Sequence, residues 1–183
     1  MSGIGHNGGP ALERATGWKR HCWTAARAAL LPTLPIEVVR LRVKRAAELG
    51  LDYKTYAGVR AQTGHDVVAF LFSSNALRVT ALRPVVPDAV AGKLAAVRAG
   101  RLGLAVAPLS PGVLEAANPA LDGASAAPYA LAPWGAARAA IRAALGQLPG
   151  DGVVLVGTHG LEAEWCAAGR LAGYLPAERY FAG

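Results

Sequence analysis

Three short, almost unbroken apolar runs do most to limit what this chain can fold into: Val67–Phe72 (VVAFLF), Leu102–Ala107 (LGLAVA) and Val153–Val156 (VVLV). Runs this short, without polar alternation, read as strands buried on both faces, the habit of parallel sheets. Helical patterns at Asp88–Ala99, Trp134–Leu145 and Leu161–Ala172 lie between and after them. The alternation predicts an α/β fold with a small, mainly parallel sheet and flanking helices. Ala76–Leu82 is a candidate for a further strand. Pro108–Pro133 holds several prolines and many small residues, and is expected to be a long irregular connection with one short helix near Val113–Ala117.

Helices are expected before the first strand. Trp23, Ala26, Leu30 and Leu31 fall at helical spacing within Trp18–Leu31, which Pro32 stops. Ile36–Leu49 follows Pro35 and gathers Ile36, Val39 and Val43 on one face, with Arg40, Arg42, Lys44 and Arg45 largely elsewhere. Gly50 is placed to end that helix in a left-handed cap, Asp52 to cap the next start, and Tyr53–Thr63 forms a third helix closed by Gly64. The expected organisation is a Gly-rich leader over residues 1–17, a three-helix segment over 18–64, and an α/β domain over 65–183 packed with it. At 183 residues the chain suffices for one sizeable core.

Charge and cysteine content narrow the function classes. Lys and Arg total 19 against 12 Asp and Glu, a formal charge of +7 that attracts polyanions. The longest nearly uncharged stretch, Ala116–Ala137, is broken by prolines and Asp122, so no membrane span and no membrane partner are expected. The polar, Gly-rich start lacks the pattern of a secretory signal, and the expected location is cytoplasmic. Cys22 and Cys166 stand alone, with no CxxC pair, and adjacent residues such as His21 and Cys22 rarely both reach one metal with His159 and Cys166. No metal and no cofactor are expected. Gly3, Gly5 and Gly8 spell GxGxxG, but no strand precedes them, so the dinucleotide-binding reading fails. This leader resembles the GIGHN-type openings of many uncharacterised bacterial proteins, a likeness that carries no chemistry.

Ala46 to Arg60 (AAELGLDYKTYAGVR) resembles the helix-turn-helix of bacterial DNA-binding proteins. The resemblance implies a turn at Gly50, Leu51, Tyr56 and Val59 in the core, and Lys54 and Arg60 facing a major groove, while Arg40, Lys44 and Arg45 meet phosphates. The competing reading is a helical corner packed on the sheet, which Gly58 suits better than an exposed recognition helix does. The first expectation for function is therefore a non-enzymatic accessory protein that binds nucleic acid weakly through this segment.

The second expectation lies at the strand ends. Ser73, Ser74 and Asn75 follow VVAFLF, and Thr158 and His159 follow VVLVG just before a helix, where open α/β sheets usually bind ligands. Backbone amides at that helix start, with these side chains, suit an anionic metabolite bearing phosphate or carboxylate. Val154–Gly157 followed by Ala167–Gly169 resembles the last core strand and helix of haloacid-dehalogenase-like phosphatases, and the Ser73 turn is similar to their second motif. Thr158, however, stands where that family has a metal-binding aspartate, and no DxD motif ends an earlier strand, so the resemblance implies a catalytically inactive relative. No spacing among Ser73, Ser74, His65, Asp66, His159, Glu162 and Glu164 singles out a nucleophile, base and orienting group.

Overall fold

The structure is a computed structural model, and it describes residues 34–182. The expected leader and first helix, Trp18–Leu31, lie outside the described residues. By its internal contacts the chain divides after Val39, and the unit from Arg40 to Gly183 contains the sheet.

Among the described residues, helices α1 (Ile36–Glu48) and α2 (Tyr53–Thr63) precede the sheet. Gly50 joins them at φ +66°, a left-handed conformation that costs glycine little. The Leu51 amide donates to the Ala46 carbonyl and the Gly50 amide to that of Ala47, which is the Schellman closure. Asp52 then caps α2, accepting from the Thr55 amide at 2.9 Å. The caps expected at Gly50, Asp52 and Gly64 are all present.

Five parallel strands follow: β1 (Ala69–Ser73), β2 (Gly100–Ala105), β3 (Gly123–Ala126), β4 (Val153–Gly157) and β5 (Gly173–Pro176). Their order is β3-β2-β1-β4-β5, with Leu71 beside both Leu102 and Leu155. The connecting helices are α3 (Asp88–Ala96), α4 (Pro111–Ala117), α5 (Trp134–Leu145) and α6 (Gly160–Gly169), and α7 (Ala177–Phe181) closes the chain.

The central strands are buried on both faces, and their alternation builds two cores. Phe70, Phe72, Val154 and Val156 join Leu94 of α3, Leu114 of α4 and Tyr180 of α7 on one side. Ala69, Leu71, Val153 and Leu155 join Ile141 of α5 and Trp165 of α6 on the other. The chain thus winds outward from β1 to β3 with helices on one face, then returns through α5 to β4 with helices on the opposite face. Such doubly wound sheets open a crevice beyond the carboxyl ends of the two strands where the winding reverses, here β1 and β4.

The α/β class and parallel sheet are as expected, and three details differ. Ala76–Leu82 is not a strand. The Ser73 carbonyl accepts from the Leu77 amide and Arg78 takes φ +59°, so the chain leaves β1 in tight turns, with a lone bridge between Thr80 and Arg83. Pro108–Pro133 is less irregular than its prolines suggest, since it contains α4 and the edge strand β3. β5 has no counterpart among the expected strands. Gly-Ala-Ser-Ala and Gly-Tyr-Leu-Pro carry little strand propensity, and pairing with an already formed sheet outweighs it.

Candidate functional site

At the C-terminal edge of the sheet, the turns after β1 and β4 meet around Glu162, whose residue is 2% exposed. Its Oε1 accepts from Asn75 Nδ2 at 2.9 Å. Its Oε2 accepts from the Thr158 amide at 2.5 Å and the His159 amide at 3.2 Å. The carboxylate therefore sits where a helix start offers its unpaired amides, and it satisfies them from inside the protein. Gly157 makes room for it, because a Cβ there would come within 2.5 Å of Glu162 Oε2 and 2.8 Å of the Tyr174 ring. The Tyr174 hydroxyl donates to the His159 carbonyl at 3.3 Å. Its acidity is weakened by burial first, then by the charges of Glu162 and Glu178.

Beside this clamp lies a cavity of about 280 Å³. Trp165, Ala168 and Leu161 of α6 form one wall, Trp134 and Ala137 of α5 another, and Pro128, Ala130, Leu131 and Ala132 the rim. Asn75, His159, Glu162 and Glu164 supply the polar part of the lining. The rim is unusual for an exposed surface: Trp134 is 58% exposed and Leu131 84%. Leu131 also holds φ +61°, a conformation that leucine adopts at a cost and that is commoner near functional sites.

Of the five residues expected here, Asn75 and His159 line the cavity. Thr158 contributes its amide to the Glu162 clamp while its residue stays exposed. Ser73 and Ser74 are buried and hold the turn: Ser73 Oγ accepts from the Ala76 amide at 3.0 Å, and Ser74 Oγ from the Val106 amide at 3.1 Å. Glu162 stands among the polar residues that no spacing singles out, and no pattern in the sequence marks Trp165. Only the strand order reveals that they face the β1 turn.

The basic helical segment has a different organisation. Arg40, Lys44 and Lys54 are exposed. Arg45 is turned inward, with Nε donating to Asp66 at 2.9 Å and its other nitrogens to Glu48 and to the carbonyls of Arg98 and Val67. Arg60 lies 3.8 Å from the same Asp66, and the Tyr56 hydroxyl donates to Asp66 at 2.8 Å. Burial raises the Asp66 pKa, yet the hydrogen bonds from Tyr56 and Arg45 and the Arg45 charge outweigh it, holding the carboxyl below its ordinary range. Two of the five residues assigned to nucleic acid thus serve this internal network.

Among the described residues no group of His, Cys, Asp and Glu is placed to hold a metal, and no helix is long and apolar enough to cross a membrane. Neither a family model, nor a curated protein, nor a solved structure matches the chain.

Proposed function

We propose that the domain binds a small, largely apolar molecule in the crevice beyond the carboxyl ends of β1 and β4. The observation that carries this reading is the preformed cavity of about 280 Å³ at that crevice, just below the roughly 300–1,000 Å³ usual for ligand sites and so suited to a small molecule. Its lining follows the ligand-site pattern of apolar and aromatic walls with a few convergent polar groups. Binding rather than turnover is favoured because Ser73 and Ser74, the hydroxyls that end β1 and begin its turn, are buried and committed to that turn. The nucleic-acid reading loses support by comparison, since Arg45 and Arg60 are engaged with Asp66.

Thermal unfolding against a panel of small molecules, grouped by charge and apolar size, tests the reading. A ligand at about 100 times its Kd adds roughly 2.7 kcal/mol, a shift of several degrees. Ala132→Phe, which fills the rim, is expected to abolish that shift. A panel in which nothing stabilises the protein, or in which Ala132→Phe responds like the parent, overturns the proposal.

A further inference from the structure

The charge around the cavity is opposite to that of the chain. Overall the protein carries +7, yet among the described residues no Lys or Arg lines this cavity, whereas Glu162 and Glu164 both do. Asn75 Nδ2 and the Thr158 and His159 amides, the donors an anion would need at the helix start, are directed at Glu162. Unlike Asp66, Glu162 takes its hydrogen bonds from neutral donors, so its negative charge remains part of the local field. Trp134 and Trp165 add two indole rings to the walls, and the face of an indole attracts cations.

From these features we infer that the cavity is selective for an organic cation, a protonated amine or quaternary ammonium on a compact apolar body. The apolar body fills the space between α5 and α6, and the cationic head lies toward Glu164 and the ring faces. This inference rests on the proposed binding function and specifies its ligand class.

Three probes of equal carbon number separate the possibilities: 2-phenylethylamine, 2-phenylethanol and phenylacetate, titrated into the full chain while the indole N–H signals of Trp134 and Trp165 are followed by NMR. The amine is expected to bind about five- to tenfold tighter than the alcohol, and the carboxylate weakest of the three. Glu164→Gln is expected to remove most of the amine's advantage over the alcohol, while Lys54→Gln, remote in sequence and exposed, leaves it in place. An alcohol that binds as well as the amine, or a carboxylate that binds best, overturns the cation selectivity and leaves the cavity as a binding site. Indole signals that move with none of the three overturn both.

Discussion

The two ends of the sheet each carry a carboxylate that ties several elements together, and they satisfy it in opposite ways. At the N-terminal edge Asp66 is about a third exposed, meets Arg45 and Arg60, and takes a hydroxyl hydrogen bond from Tyr56. At the C-terminal edge Glu162 is almost fully buried and is met by an amide side chain and two backbone amides. The first edge is a closed charge pair with neighbours fixed in place. The second holds a desolvated charge beside open space. An ion pair satisfies its own field, whereas a carboxylate held by neutral dipoles projects its charge into whatever adjoins it.

The largest effect that would sharpen this contrast is expected from Glu162→Ala. It leaves the Thr158 and His159 amides and Asn75 without their acceptor, and is expected to cost about 3 kcal/mol in urea unfolding. A loss below about 1 kcal/mol would mean that water replaces the carboxylate easily, and the two edges would then be alike. Gly157→Ala forces a methyl against Glu162 and Tyr174 and is expected to cost about 2 kcal/mol, read as a lower thermal midpoint.

Arg45→Met keeps much of the apolar stem but removes the hydrogen bonds to Asp66, Glu48, Arg98 and Val67, for an expected loss of about 1–2 kcal/mol. The pH dependence belongs to the same edge. Because the folded protein holds the Asp66 carboxyl below its ordinary value, the stability it contributes is fully present above about pH 4 and is lost as pH falls through the lowered pKa. Urea midpoints of the parent and of Asp66→Asn are expected to differ at pH 7 and to converge in strong acid. A constant difference over that range would detach Asp66 from the acid response.

The smallest effect is expected at Cys166 on α6, where burial pushes the thiol pKa up to about 11. In a Cys22→Ser background a thiol reagent at pH 8 is expected to react with it far more slowly than with a free thiol. Rapid labelling would show that α6, and with it the cavity wall, opens readily.

The sequence announced the parts of this fold that bury themselves and missed those that depend on neighbours. VVAFLF and VVLV were legible as strands because a chain can hide such runs only between two helical layers. Gly123–Ala126 and Gly173–Pro176 were not, because edge strands of small residues become strands only once β2 and β4 are there to pair with. The site divides in the same way. Its place at the strand ends followed from the Ser73 and Thr158 turns. Its centre did not, because Glu162 reads as one more helix-start carboxylate until β1 and β4 are known to be adjacent. The engagement of Arg45 and Arg60 with Asp66 is hidden in the sequence for a related reason, since Asp66 lies outside both helices and meets them only in the fold.

The bond between Asn75 and Glu162 joins residues 87 positions apart, which bears on the order in which the molecule assembles. Loop-closure entropy must be met before so distant a pair is rewarded, so the seam between β1 and β4 is expected to form late in folding. During synthesis β1, β2 and β3 emerge before β4 exists, and their exposed edge waits for it. The crevice is thus expected to take shape only when the outward half of the chain and the returning half have both docked, so that a ligand seated there would bind the finished fold alone.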